Sequence, residues 1–130
     1  MADRTVIGER DFTADAASVS GARRYVLSLL DLDDETADAV RLSVSELATN
    51  AVLHARSPFR VRVSRNGSSI RVEVHDRSAL TASKKDYGPN AVTGRGLTIV
   101  EQLTEDWGVT PDSGGKWVWF EVAFSAQGVT

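Results

Sequence analysis

The stretch Glu46-Leu47-Ala48-Thr49-Asn50-Ala51-Val52-Leu53-His54 lies inside a long segment whose apolar residues recur at helical spacing. At roughly 100° per residue, Glu46, Asn50 and His54 fall within an arc of about 80° on one edge of the predicted helix. An apolar stripe lies beside this edge, formed by Val40, Val44, Leu47 and Ala51. The pattern therefore predicts a carboxylate and a carboxamide, one turn apart, at the rim of a buried face. Taken alone, such a pair is more often a solvated helix surface.

The composition is that of an ordinary globular domain. The chain has 130 residues, of which 42% are hydrophobic and 25% charged, enough for one domain over residues 1–130 that buries about two thirds of its unfolded surface. The lack of cysteine excludes a disulfide framework, a thiolate metal site and a cysteine nucleophile. Residues 1–6 lack the apolar core of a signal peptide, and no run reaches the length of a membrane span. We therefore expect a cytoplasmic protein with no membrane association.

The charge distribution is uneven along the chain. A net charge of −3 argues against direct nucleic-acid binding, which requires a basic surface. Residues 77–95 carry a charge of +3, so the rest of the chain carries −6; the charged residues of this segment are Arg77, Lys84, Lys85, Asp86 and Arg95. A local positive segment on an acidic protein indicates a small anionic ligand, although a solvated loop with a chance surplus of lysines explains it equally well.

Apolar periodicity and turn residues predict three helices and five strands. In chain order these are a strand over 6–12, a helix capped by Asp15 or Ser18, a helix from Asp33 to about Ala55, strands over 59–65 and 69–76 around an Asn66-Gly67 turn, a short helix opened by Gly94, and strands over 107–110 and 116–124 around a turn at 112–115. In the short helix we expect Leu97, Val100 and Leu103 to be buried.

The two central strands alternate cleanly between apolar and polar residues. One face carries Phe59, Val61, Val63, Ile70, Val72 and Val74, and the other carries Arg60, Arg62, Ser64, Arg71, Glu73 and His75. Only the apolar face has to be buried by other elements, which predicts a two-layer α+β sandwich with helices packed on that face. Trp117 and Trp119 alternate onto the uncovered face, where they either rest on arginine stems or form a surface for a homodimer or another partner.

The segment between the central strands and the short helix is unusually long. Residues 77–93 form a predicted irregular loop of about 17 residues, a length typical of lids and binding loops. Gly94-Arg95-Gly96-Leu97 then opens a helix whose first backbone amides are free to meet a phosphate. A glycine-rich turn without a ligand is the commoner occurrence of such a motif.

Three features now follow one another in a fixed order. They are Glu-x-x-x-Asn-Ala-x-x-His at 46–54, Asp76 at a strand end, and Gly-x-Gly-Leu at 94–97. Together they resemble the ATP-binding fold shared by gyrase, histidine kinases and MutL, the histidine kinase-like ATPase or Bergerat fold. Within it, the chain looks most like the small anti-sigma factor serine kinases of the RsbW type. The resemblance covers essentially the whole chain and implies a mixed, mostly antiparallel sheet with helices on one face.

The resemblance implies a role for each matching residue. Asn50 would coordinate the Mg²⁺ that bridges the phosphates of ATP, and Glu46 would accept the proton of the attacking hydroxyl or polarise an attacking water. Asp76 would accept a hydrogen bond from the adenine 6-amino group, which favours adenine over a base with a carbonyl there. The phosphates would be bound by backbone amides of Gly94, Gly96 and Leu97, with Arg95 or a lid lysine neutralising charge.

The chain departs from the family pattern at two places. The strand-end motif is usually Asp-x-Gly, whereas here Ser78 takes the glycine's place at the nucleotide-binding position. Because a glycine lets the backbone approach the base, Ser78 has to adopt that conformation at a cost or shift the loop. Lys116 stands where many relatives have Ser or Thr after the glycines of the last turn.

Two functions follow from the resemblance. The first is an ATP- and Mg²⁺-dependent serine/threonine protein kinase of the anti-sigma type, which binds a sigma factor and phosphorylates a small anti-anti-sigma partner. The second is a nucleotide-responsive protein-binding module of the anti-sigma type without phosphotransfer. The presence of Glu46 favours catalysis, because a pure binder has little use for a base at that position.

Overall fold

The computed structural model of the protein describes residues 4–78 and 94–124, with the side chains of residues 94–97 outside that description. Of the loop predicted over residues 77–93, residues 79–93 lie outside the described residues. The elements in chain order are β1 (Thr5–Phe12), α1 (Ala16–Ser28), α2 (Asp34–Asn50) with a π-helical turn (Ala51–Ala55), β2 (Phe59–Asn66), β3 (Ser69–Asp76), α3 (Gly94–Leu103), β4 (Asp106–Asp112) and β5 (Gly115–Ala123).

The strands form one sheet in the order β1-β2-β3-β5-β4. All four pairings within this described sheet are antiparallel. The apolar side chains of α1, α2 and α3 pack with those of the strands into one core cluster. The predicted α+β fold, a two-layer sandwich with helices on one face, is confirmed.

Aspartates set the start of the first two helices. The Asp15 carboxylate accepts a hydrogen bond from the Ser18 amide at 3.1 Å, and the Asp33 carboxylate accepts one from the Thr36 amide at 2.7 Å. Of the two cap candidates for α1, Asp15 is therefore the cap, and Ser18 is a donor to it. The second helix was predicted to reach about Ala55, and the helical path does so, but its last turn is π-helical.

The two hairpin turns lie close to their predicted positions. Asn66 pairs with Ser69, so the loop of the first hairpin is Gly67-Ser68, one residue later than the predicted Asn66-Gly67. Gly67 has a φ of 63°, which glycine adopts at little steric cost. The position of the turn thus follows from the backbone conformation of Gly67 and not from Asn66.

The core follows the predicted alternation with one correction. Val61, Val72 and Val100 are fully buried. Leu103, expected to be buried, is 38% exposed because it is the last residue of α3 and lies about 60° around the helix from Val100. Among the described residues, no helix is long and apolar enough to span a membrane.

Candidate functional site

The polar edge of α2 reaches the rim of the core as predicted. Glu46 and Asn50 are half-buried, and Leu47 and Ala51 beside them are buried. The Nδ2 atom of Asn50 is buried and has no hydrogen-bond partner among the residues the structure describes. Because buried amide groups are almost always paired, this one indicates a ligand or water that supplies a partner. A flip of the side-chain amide exchanges its nitrogen and oxygen, so Asn50 can also present an oxygen to a cation.

The helix widens directly after Asn50. The Arg56 amide donates to the Ala51 carbonyl at 3.0 Å, and Arg56 has a left-handed φ of 52°. Single π turns of this kind occur frequently at functional sites. The Ser57 hydroxyl then accepts a hydrogen bond from the Arg77 amide at 3.1 Å. This bond joins the segment after α2 to the residue after Asp76, so the ends of α2 and β3 meet at one edge of the sheet.

Asp76 lies at this edge on the face covered by helices, in alternation with the buried Val72 and Val74. The Lys116 ammonium donates to both carboxylate oxygens of Asp76, at 2.8 Å to Oδ1 and 2.7 Å to Oδ2. Asp76 is 3% exposed and Lys116 is 5% exposed. The residue expected to read adenine therefore already has a cationic partner, which the sequence analysis did not predict.

The backbone around Asp76 is closely packed. The Ser78 amide donates to Oδ1 of Asp76 at 2.9 Å, so Ser78 closes a turn on the aspartate side chain. Gly115 has a φ of 149°, and a Cβ there would lie 1.9 Å from the carbonyl oxygen of Asp76. Only glycine permits this approach, which holds the start of β5 against the end of β3.

The glycine motif opens α3 as expected. The helix begins at Gly94 and runs to Leu103, so Gly94, Arg95, Gly96 and Leu97 form its first turn. The side chains of these four residues lie outside the described part of the chain, and their phosphate contacts stay a prediction. The catalytic role of Glu46, the Mg²⁺ role of Asn50 and the nucleotide contact of Ser78 are likewise predictions.

The tryptophans on the open face of the sheet contact arginines. The Arg62 guanidinium lies 4.1 Å from the ring centre of Trp117, and that of Arg71 lies 3.8 Å from the ring centre of Trp119. The predicted stacking on arginine stems is confirmed. The second hypothesis, that these rings bind a second copy or a partner, stays a prediction.

The sequence motifs did not identify Lys116 as a partner of Asp76. The signal was present, because alternation along β5 puts Lys116 on the same face as Val118 and Phe120. Lysine is rarely buried, so the residue type alone gave no indication of a contact there. The partner could have been found by asking which acid ends the neighbouring strand on that face.

Comparison with known proteins adds the family. A family model described as the histidine kinase-like ATPase domain matches residues 12–122. The chain belongs to this family. No curated protein matches it significantly. A crystal structure of the RsbU and RsbW domains of a Mycobacterium tuberculosis protein matches with a TM-score of 0.67 and 19% sequence identity.

The extent of that structural match limits what it says about the domain. It covers 95% of the present chain and 35% of the other one, so the chain spans about a third of that structure's length. At this identity the likeness supports the fold. The family description itself implies an ATP-using domain. The buried, unpaired amide of Asn50 and the edge shared by α2 and β3 suit a nucleotide with its cation, so the residues present fit the group that the family implies.

Proposed function

We propose that the protein is an ATP-dependent serine/threonine protein kinase of the anti-sigma type, which transfers the γ-phosphate of ATP to a small anti-anti-sigma partner. The observation that carries the proposal is the position of Glu46 and Asn50 on the same edge of α2. Both are half-buried, one turn apart, and the Asn50 amide has no partner in the described part of the chain. Asn50 ends α2, and Ser57 beyond it is hydrogen-bonded to the Arg77 amide, directly after Asp76.

Phosphoryl transfer depends mainly on positioning and charge neutralisation. Asn50 would hold Mg²⁺, which would neutralise phosphate charge when bound. Glu46, on the same helix edge, supplies a base for the proton of a partner's serine or threonine hydroxyl. The +3 charge of residues 77–95 supports binding of a polyanion.

The alternative is a binding module that responds to nucleotide without transferring phosphate. One observation favours it: Glu46 has no hydrogen-bond partner within the described ranges 4–78 and 94–124, so no described group orients its carboxylate. Catalytic bases are commonly oriented by a second group. If the wild-type protein binds MgATP but transfers no phosphate to a partner, the result favours this alternative.

The Glu46→Gln variant tests the base directly. We expect MgATP binding close to that of the wild type, because the amide keeps the shape of the side chain. We expect phosphate transfer to fall by about 10²–10⁴-fold, the contribution of a general base. Binding is measured by calorimetry, and transfer is measured with labelled ATP and purified anti-anti-sigma proteins of the source organism.

Glu35→Gln is the matched control. Glu35 lies in the first turn of the same helix and is exposed, far along α2 from Asn50. It should leave both binding and transfer unchanged. Unimpaired transfer by Glu46→Gln would contradict the role of Glu46, and absence of heat with MgATP for the wild type would contradict the proposed function as a whole.

A further inference from the structure

A groove lies between the start of α2 and the end of α3, with the end of β5 beside it. Its volume is about 490 Å³, which is in the range of cavities that bind ligands. Glu35 lines it at the start of α2, whereas Asn50 ends the same helix. The helix rises about 22 Å between these two residues. The groove is therefore separate from the proposed nucleotide site.

Two partly exposed leucines from different helices border this groove. Leu42 on α2 is 50% exposed, and Leu103 at the end of α3 is 38% exposed. Ala39 lies next to Leu42 on the same face of α2 and lines the groove as well. A single exposed apolar residue needs no explanation. Apolar side chains of two helices that border one groove are typical of surfaces that bind the apolar face of a partner helix.

The rim of the groove is acidic. Glu35 and Glu105 are exposed there and have no ion pair within residues 4–78 and 94–124. Asp38 also lines the groove and pairs with Arg41, while the described lining contains no lysine or arginine. The helix dipole explains an acid at the start of α2, but it does not stabilise Glu105, which follows the C-terminal end of α3. The charge at Glu105 therefore has no source in helix stability.

The acidic rim selects among the possible occupants. A second copy docked symmetrically at this groove would bring like charges together, which is unfavourable. Residues 125–130 of the chain carry no charged side chain and offer nothing to the rim. We propose that the groove binds a basic amphipathic helix of another protein. The apolar side chains of that helix contact Leu42 and Leu103, and its lysines or arginines pair with Glu35 and Glu105.

The probe is a fluorescein-labelled synthetic peptide of about 18 residues, with leucines on one helical face and lysines on the other. A matched peptide carries glutamate in place of each lysine. Fluorescence anisotropy at about 0.15 M salt measures binding. The wild-type protein should bind the lysine peptide at least about tenfold more tightly than the glutamate peptide. Leu42→Asp should weaken binding of the lysine peptide by at least about tenfold, and Glu105→Lys by at least about threefold.

Two control variants make the same changes outside the groove. Leu53→Asp alters a leucine that is 61% exposed on the π-helical turn, and Asp31→Lys reverses an exposed charge that does not line the groove. Both should bind the lysine peptide as the wild type does. Losses in these controls as large as those in Leu42→Asp and Glu105→Lys would overturn the inference.

The remaining outcomes also decide. The inference is wrong if the lysine peptide does not bind, if both peptides bind equally, or if a folded Leu42→Asp keeps the wild-type affinity. It is also wrong if sedimentation shows a wild-type dimer that Leu42→Asp converts to a monomer, because a second copy then covers the groove. If Leu42→Asp does not fold, Glu105→Lys decides. Binding of MgATP and phosphate transfer are measured without the peptides, so the proposed function stands or fails independently.

Discussion

Where β1 pairs with β2, arginines and carboxylates on the open face form a ladder at the surface, whereas at the covered edge Lys116 and Asp76 pair in the interior. The ladder includes Arg60 with Asp11 at 2.7 Å and Arg62 with Glu9 at 2.9 Å. Asp11 is 66% exposed in its side chain, against 4% for Asp76. The same type of ion pair therefore occurs in two environments, one exposed to water and one in the protein interior.

Burial decides how much a charged residue indicates about function. A surface pair exchanges water for a partner of similar strength, so its presence carries little information about function. A buried pair has lost its water and persists only because partners replace it. The same reasoning applies to the Asn50 amide, which is buried and unpaired within the described residues. Beside the covered edge, the Asn50 amide is therefore the polar group that indicates a ligand.

The largest expected effect is on stability at the covered edge. Asp76→Ala leaves the Lys116 ammonium buried without its partner and should lower the free energy of unfolding by about 3–5 kcal/mol. Urea unfolding measures this. Asp11→Ala, which breaks an ion pair on the open face, should have a much smaller effect.

A double replacement at the covered edge separates the loss of a partner from the cost of burying charge. Asp76→Leu combined with Lys116→Met removes both charges and should recover most of the stability lost in Asp76→Ala. Equal losses for Asp76→Ala and Asp11→Ala would show that the two regions do not differ in the way described.

An intermediate effect is expected on the open face at Gly108. A Cβ at Gly108 would lie 2.6 Å from Cζ2 of Trp119, and the Arg71 guanidinium lies 3.8 Å from the centre of that ring. Gly108→Ala should displace the ring and cost about 1–3 kcal/mol by overpacking. Thermal or urea unfolding measures the change.

Gly114→Ala is the control for this prediction. The nearest atom to a Cβ at Gly114 is Oδ1 of Asp112, at 3.9 Å, which is an ordinary contact. An effect of Gly108→Ala no larger than that of Gly114→Ala would mean that Trp119 moves freely and that its contact with Arg71 is weak.

The smallest effect is the pH dependence of the open face. The hydrogen bond from Arg60 lowers the pKa of Asp11 below its ordinary value of 3.8. A carboxyl with a lower pKa in the folded state adds stability above its unfolded pKa, and this is lost as the pH falls through the folded value. Asp11→Asn should therefore flatten the decline of the free energy of unfolding below about pH 4.

The measurement is urea unfolding as a function of pH. Asp31→Asn serves as the control, since Asp31 is exposed and has no ion pair in the part of the chain that the structure describes. If both variants show the same pH dependence of the free energy of unfolding as the wild type, Asp11 does not contribute to the loss of stability at acid pH.

The elements were predictable because their patterns are local. Alternation of apolar residues gave β2 and β3, and Asp15 and Asp33 gave the helix starts. The sequence analysis did not predict the π turn after Asn50, because helical periodicity alone does not distinguish an α turn from a π turn. For the site, the sequence placed Asn50 and Asp76 on the elements whose ends meet, but it missed the burial of Lys116. A buried lysine depends on a partner 40 residues away, which no local pattern shows.

The outer strands of the sheet affect how the protein can assemble. β1 changes register between Val6 and Gly8 and carries alternating charges such as Glu9, while β4 contains Pro111, which has no backbone donor. Irregularity, charge and proline at sheet edges hinder pairing with a strand from another molecule. Fibril-like aggregation by addition of strands to the edges of the described sheet is therefore disfavoured.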